Sequence, residues 1–567
     1  MTHEPDHDTA RRAPAILRAA RQARALFPSL ADYRRLRRTW KTDLVAGITV
    51  GVVALPLALG FGVSSGVSAE AGLITAVVAG LIAAVFGGSN VQVSGPTGAM
   101  VVVLLPIVAT HGVTAIAAVS VLAGLIVVLA GALRLGRAVS FIPWPVIEGF
   151  TVGIAAIIFL QQVPLVTTPT QVEVGEHSSN AVVAAVQSLT AADWSYLPWS
   201  LGAAAIVAAC TTLLPRLHRG IPGSLIGIIV VTLLSLAIAN PLGVIGTLPN
   251  TLPAPSLPAV DAETFSALLL PALTVAALAA IESLLSARVA ATLDDTGPYD
   301  ADRELFGQGL ASIGSGLFGG MPATGAIART AVNVRSGGRT RLSSVVHALV
   351  LLAIVFIAAG PVGTIPLAAL AGVLMVTATR MVQPARVVSL MRSTRADAIT
   401  FVVTAVVTVS FDLVIAVLVG VVLLGVVAIR NLSSATHVER EPIHGLPQAG
   451  DERIAILRLD GPLIFASSER VFDTTMKIDG VTVVILRMSQ LELIDASGAH
   501  VLTEIVQALE RRGVTVLIKG VQEGHERLFR SVGVLASLRH HEHLFADMET
   551  AIAHARSHVG RGSASPG

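Results

Sequence analysis

The sequence predicts a polytopic α-helical membrane protein, with fourteen spans in two inverted seven-span repeats followed by a small α/β domain. Three observations carry that reading. Of 567 residues, 53% are hydrophobic and 13% charged, against about 25% charged in soluble proteins, and the mean hydropathy is +0.75. Apolar runs recur from Leu44 to Ile429, many close to the roughly 17–25 residues a helix needs to cross a bilayer. Finally, Ser94-Gly-Pro-Thr-Gly-Ala99 is echoed by Met321-Pro-Ala-Thr-Gly-Ala326. Paired interruptions at matching places in two halves point to a transporter's binding site.

The spans of the first set fall near 44–63, 69–87, 96–110, 113–133, 145–163, 199–215 and 222–240. Those of the second fall near 265–287, 303–319, 322–334, 341–359, 363–380, 397–411 and 412–430. Segments 96–110 and 322–334 are too short to cross alone and read as half-helices, each preceded by extended backbone buried in protein rather than lipid. Pro96 and Pro322 suit such starts, because the first helical turn has spare N–H groups. The fifth spans end alike, in Gln161-Gln-Val-Pro164 and Met381-Val-Gln-Pro384. Seven is odd, so the second copy enters from the opposite side, which makes the repeat inverted.

Basic residues set the topology. Arg11 to Lys41 is strongly basic, and later Arg groups fall at 134–137, 216–219, 288–303, 335–341, 380–395 and 430. No Lys or Arg lies between Arg137 and Arg216 or between Arg219 and Arg288. The positive-inside rule then places both termini and every basic loop in the cytoplasm, in a multi-pass protein of the cytoplasmic membrane. The net charge of +2 and pI of 9.0 report topology and not a nucleic-acid partner. Arg11–Arg38 reads as a solvated or lipid-headgroup face, and the acidic, then Arg-rich start is not a signal peptide. Cys210 rules out an internal disulfide framework and reads as packing. With no Walker motif and no metal-ligand cluster, neither a pump nor an enzyme is supported. No catalytic residue, metal or cofactor is expected.

The chain divides into a basic segment (1–42), a transport domain (43–430, repeats about 43–240 and 265–430), a polar linker (431–452), an α/β domain (453–558) and a tail (559–567). In the α/β domain, strands are predicted at 453–460, 481–488 and 514–518, and helices after Asp495, at 523–532 and at 543–558. The helix after Asp495 puts Val501, Leu502, Ile505, Val506 and Leu509 on one face.

Half-helix N-termini carry unpaired N–H donors and about half a positive charge, so two facing each other suit an anion. Thr97, Gly98, Ala99, Thr324, Gly325 and Ala326 stand at those termini and supply hydroxyl and amide donors. Tight helix packing explains the small residues equally well. Arg329, about two turns on from Pro322, is a fixed cation that either holds the anion or pairs with Glu282. Phe61 walls the pocket or only packs. Glu282 lies in an apolar run, where a charge costs about 2.5–3.5 kcal/mol. A proton, a cation or a basic partner must offset that. Glu148 reads as an acid favouring a helix start, and His111 and His347 read as span-end residues.

Several stretches resemble the sulfate permease (SulP) family, bacterial relatives of the mammalian multifunctional anion exchangers and prestin. They are Asp43-Leu-Val-Ala-Gly-Ile-Thr-Val-Gly-Val-Val-Ala-Leu-Pro56, Val93-Ser-Gly-Pro-Thr-Gly98, Pro145-Val-Ile-Glu-Gly-Phe150 and Arg329-Thr-Ala-Val-Asn333. Ile494-Asp-Ala-Ser-Gly498 resembles the family's STAS domain. The likeness, over roughly residues 40 to 555, implies a core moving against a gate, a homodimer, and sulfate, bicarbonate, chloride or dicarboxylate as substrate. Leu55-Pro-Leu-Ala-Leu-Gly-Phe-Gly62 is most similar to the cyanobacterial sodium-dependent bicarbonate transporter. Glu282 and Ser286, one helical turn apart, occupy positions where that protein has Asp and Thr. Because both differ, coupling to H+ is favoured over Na+. Relatives often carry an aromatic at the position of Thr97, so the hydroxyl implies a more polar pocket. Asp495 and Ser497 match the pattern phosphorylated on serine in anti-sigma antagonists, though helix capping explains them equally. The expected function is secondary active, proton-coupled symport of a small inorganic or carboxylate anion. The rivals are sodium coupling, an uncoupled exchanger or channel, and a membrane-anchored STAS signalling protein.

Overall fold

Helices account for most of the chain up to residue 435, and two units part at Val421/Val422. A computed structural model describes residues 24, 26–33, 35–136, 143–169, 180–217, 222–258, 261–293, 296–410, 413–443, 446–540 and 543–563. The Arg11 to Arg21 part of the basic N-terminal series, Arg137, Arg219 and the end of the tail lie outside these residues.

The first unit opens with α1 (Leu36–Ser64) and α2 (Ala69–Phe86), then strand β1 (Ser94–Gly95) and α3 (Gly98–His111). There follow α4 (Ala115–Ala132), α5 (Trp144–Gln161), α6 (Val163–Thr167), α7 (Ala181–Thr190), α8 (Leu197–Leu217) and α9 (Gly223–Ala237). The second half runs α10 (Ala262–Leu293), α11 (Ala301–Leu317), β2 (Thr324–Gly325), α12 (Ile327–Arg335) and α13 (Arg341–Gly363). It closes with α14 (Leu367–Met381), α15 (Pro384–Met391), α16 (Arg395–Ser410) and α17 (Leu413–Ala435), within which the unit boundary falls. Among the described residues, eight helical segments are long and apolar enough to cross a membrane, and α3, α7 and α9 are shorter apolar helices.

Helices α6, α7 and α15 are additional to the predicted spans. Helix α7 is ten residues long and is capped by Asn180, whose Oδ1 accepts the Val182 N–H at 2.9 Å, and α15 starts on Pro384. Helix α12 starts at Ile327, five residues after the predicted 322. The intervening backbone is held extended by pairing with β1.

Helices α10–α13 interleave with α1–α4: α11 packs on α4 and α2, α13 on α1 and α2, and α10 on α4, α12 and α3. Helix α16 lies on α5, and α14 on α8 and α5. Small residues allow these approaches. A Cβ on Gly124 of α4 would stand 2.6 Å from the Gly309 oxygen of α11, and one on Gly309 would stand 2.6 Å from the Gly124 oxygen.

The second unit is a five-stranded sheet in the order β3-β4-β5-β6-β7. Its strands are β3 (His437–Glu441), β4 (Ile454–Asp460), β5 (Val483–Arg487), β6 (Thr515–Lys519) and β7 (Leu544–Phe545). Only β3 runs antiparallel to its neighbour. Side chains alternate across a sheet. Ala455, Leu457, Val484, Leu486, Val516 and Ile518 therefore pack with α18 (Phe465–Met476), α19 (Ala496–Arg511) and α20 (Glu523–Val532). Ile454, Ile456, Val483, Ile485 and Leu517 pack instead on α21 (Met548–Ser563).

Two expectations change here. The predicted linker contains β3, whose charges form a ladder: Glu441 lies 3.0 Å from Arg458 and 2.7 Å from Arg487, and Arg458 lies 2.8 Å from Asp460. Charged residues guard an exposed edge strand. The last helix starts at Met548 and not at His543, because Leu544–Phe545 pair with Ile518–Lys519. Asp547 then accepts the Thr550 N–H at 2.8 Å, as a cap does.

Candidate functional site

The two sequence breaks meet. β1 and β2 pair antiparallel, Ser94 opposite Gly325 and Gly95 opposite Thr324, and the Ala326 N–H donates to Val93 O at 2.9 Å. Irregular backbone at membrane depth needs protein partners, and each break supplies them to the other.

Buried polar side chains hold the crossing. Gln308 of α11 donates to Ser94 Oγ at 2.6 Å and to Glu304 Oε1 at 2.8 Å, while Glu304 Oε2 accepts the Gly88 and Ser89 amides. Thr75 Oγ1 accepts the Met321 N–H at 2.8 Å. Asn333 donates to Val91 O at 2.8 Å. Asp43 on α1 accepts the Arg339 and Thr340 amides and so caps the approach to α13.

Glu282 of α10 reaches both breaks. The Thr97 and Thr324 hydroxyls each lie 2.8 Å from its Oε2 and 3.1 Å from one another. No described residue hydrogen-bonds its Oε1.

Two of the expected amide donors are already engaged. The Gly325 N–H is not free for a ligand, since it donates to Ser283 Oγ at 3.0 Å, and the Ala326 N–H is taken by Val93. The amides left without intrahelical partners are those of the first turns of α3 and α12, including Gly98 and Ala99. Ser286 hydrogen-bonds Thr330 Oγ1 at 3.2 Å, and Thr330 in turn accepts the Val93 N–H at 3.0 Å.

Arg329 is the third residue of α12 rather than two turns in, so its charge adds to the helix terminus. It is 2% exposed. Nη2 donates to Pro96 O at 2.6 Å, whereas Nη1 has no hydrogen-bond partner among the described residues. Gly95 makes room for it: its φ is +152°, and a Cβ there would stand 2.9 Å from Nη1. Gly95→Ala is therefore expected to displace the guanidinium.

Phe61 is buried against the start of α3, its ring edge 3.3 Å from where a Cβ on Gly98 would stand, and Ile158 closes on the same point. Glu148 is not a first-turn acid. It is the fifth residue of α5, buried, and 3.7 Å from Arg386. His111 ends α3 as expected, but His347 lies inside α13, fully buried, with neither ring nitrogen hydrogen-bonded to a described residue. In the second unit, Asp495 caps α19 by accepting the Gly498 N–H at 2.7 Å, and it also accepts the Phe465 N–H at 3.0 Å. Ser497 is exposed in the first turn.

Ser283, Thr330, Glu304 and Gln308 also hold the site and carry no sequence signal. The first two are small hydroxyls that directly follow Glu282 and Arg329. Glu304 and Gln308 sit four apart on α11, a spacing that places them on one helix face, but an acid near a helix start draws no notice.

Comparison with known proteins agrees with this architecture. The sequence profile of the sulfate permease family matches residues 40–404 and that of the STAS domain residues 448–551. YvdB of Bacillus subtilis, whose name ties it provisionally to sulfate transport, is 33% identical over 503 residues, covering 87% of this chain and 94% of that protein. The bicarbonate transporter BicA of a Picosynechococcus species is 32% identical over 466 residues, covering 76% and 80%. The anion transporter Slc26a9 of mouse, solved in an inward-facing state, shares the fold with a TM-score of 0.83 at 18% identity, over 96% of each chain. The chain belongs to the sulfate permease family of multi-pass membrane transporters, which are not enzymes, and carries a STAS domain in its C-terminal unit.

Proposed function

We propose that this protein carries a small anion of the sulfate or bicarbonate class, with dicarboxylates also possible substrates, by proton-coupled symport through Glu282. The observation that carries the reading is the single carboxylate oxygen to which hydroxyls from both breaks point, at 2.8 Å each. Ionised, Glu282 occupies the Thr97 and Thr324 donors and balances the charge of Arg329, so an anion finds neither a free hydroxyl nor uncompensated positive charge. Protonated, it releases both. The hydroxyls then turn to the anion, and Arg329 Nη1, with the first-turn amides of α3 and α12, faces it unopposed. Anion and proton thus load together, the group of helices bearing the breaks rocks past its neighbours, and both ions leave on the other side. Phe61, Gly98 and Ala99 shape the wall beside α3, while Thr324, Gly325 and Ala326 hold the second break in place.

The proposal also places the protein in the cytoplasmic membrane as a homodimer with both termini inside. The Lys and Arg distribution supports the orientation, and the resemblance supports the dimer. Sodium coupling through Glu282 and Ser286 is the rival, disfavoured because both residues differ from the Asp and Thr of the sodium-dependent transporter that the sequence resembles.

Uptake of labelled sulfate, bicarbonate and fumarate into vesicles, with and without sodium, tests the reading. Uptake of at least one anion is expected to rise several-fold under an inward proton gradient with no sodium present. Uptake that requires sodium, or that ignores the pH gradient, supports a rival instead.

A further inference from the structure

The sequence reading found no metal-ligand cluster, yet folding of the C-terminal unit creates one. His554 and His558 stand four apart on α21 and so share a face, with their Nε2 atoms 3.1 Å apart. His543, just before β7, is 1% exposed, and its Nδ1 is buried without a hydrogen-bond partner among the described residues. Its ring centroid lies 5.4 Å from those of both helix histidines and 5.3 Å from that of His540. One ring nitrogen from each of His543, His554 and His558 lies within 4.8 Å of the others.

We propose that His543, His554 and His558 form a site for a divalent transition metal of the zinc type, with the fourth position open beside His540. Two observations favour this over a simple stack of rings. Nitrogens sharing a tetrahedral ion at 2.0–2.1 Å stand about 3.4 Å apart; the helix pair at 3.1 Å is close to that, and the third nitrogen lies within 4.8 Å of both. The buried Nδ1 of His543 is an orphan polar atom that a metal would satisfy, and such atoms call for an explanation.

The donor set decides the class of ion. Only imidazoles converge, and no carboxylate joins the group among the described residues, which disfavours Mg2+ and Ca2+ and suits Zn2+, Co2+, Ni2+ or Cu2+. Phe545 lies against His554 with centroids 5.3 Å apart and covers one side. A bound ion would fasten α21 to the segment that enters the edge strand β7, which only two residue pairs hold to β6. It would thereby tighten the C-terminal end of the STAS domain.

The test uses full-length protein without a histidine tag, stripped with a chelator and titrated with Zn2+ against a chromophoric competitor. One ion per chain is expected, together with the visible spectrum of tetrahedral Co2+ when cobalt replaces zinc. The double variant His554→Gln/His558→Gln is expected to lose at least about 100-fold in affinity, more than substitution of residues that only support ligands. Both side chains are half-buried, and neither belongs to the anion site, so anion uptake serves as the check that the variant is folded. Equal zinc binding by wild type and variant would overturn the proposal. So would the absence of stoichiometric binding or of the tetrahedral cobalt spectrum in the wild type, neither of which depends on the variant folding.

Discussion

Glu282→Gln is expected to abolish anion uptake driven by a pH gradient, by about 100-fold or more, while leaving anion-for-anion exchange active. Glutamine matches the protonated acid in size and neutrality. Like the protonated acid, it has no charge with which to hold the Thr97 and Thr324 hydroxyls, which lie 2.8 Å from the carboxylate in the wild type, against a competing anion. The site should therefore accept an anion at any pH. What the variant lacks is a proton to take up and release, so a proton gradient can no longer do work on the anion. Exchange needs no change of protonation and survives. The two assays, net uptake under a gradient and counterflow with equal anion on both sides, separate loss of coupling from loss of the site. Net uptake that still follows the pH gradient in this variant would assign the proton to another group.

Arg329→Ala is expected to raise the half-saturating anion concentration by roughly 10- to 150-fold. Hydrogen bonds to charged groups contribute about 1.5–3 kcal/mol, and the guanidinium presents a buried Nη1 with no hydrogen-bond partner among the described residues. Arg329→Lys keeps the charge but not the planar fork. An ammonium cannot both hold Pro96 O, as Nη2 does at 2.6 Å, and reach the anion with a second donor in fixed geometry. Its affinity should fall between those of wild type and alanine. Combining Arg329→Ala with Glu282→Gln should cost less than the sum of the single changes, because each charge acts on the other. Additive effects would show that the two residues work independently.

That the two breaks and Glu282 belong together was legible in outline, because such residues are severely constrained in an apolar chain. A proline beside small residues in an apolar chain has few uses, and a lone carboxylate in such a run needs a partner, so the breaks and Glu282 stand out by hydropathy alone. How the breaks meet was not legible. Pairing of Ser94–Gly95 with Thr324–Gly325 is a contact across more than two hundred residues, made by backbone atoms that every residue type possesses. That pairing consumes the amide of Ala326, and Ser283 consumes that of Gly325. It also delays the start of α12 to Ile327, which moves Arg329 into the first turn.

Hydroxyls such as Ser283 and Thr330 follow no period and cost little wherever they lie, so composition leaves no trace of their role. In the C-terminal unit, β4, β5 and β6 were visible as β-branched apolar runs. Strand β3 was not, since His-Val-Glu-Arg-Glu reads as a polar linker until Arg458 and Arg487 are brought beside it. The same holds for the histidines at 543, 554 and 558, where one ligand lies in a loop and two on a helix.

The central claim is that anion binding and protonation of Glu282 are one linked event. Linkage is reciprocal for binding equilibria, so calorimetric titration of the purified protein with its anion, in buffers of different ionisation enthalpy, reads it directly. About one proton taken up per anion bound is expected for the wild type near neutral pH, and none for Glu282→Gln. Anion binding to the wild type with no proton uptake in any buffer would contradict it.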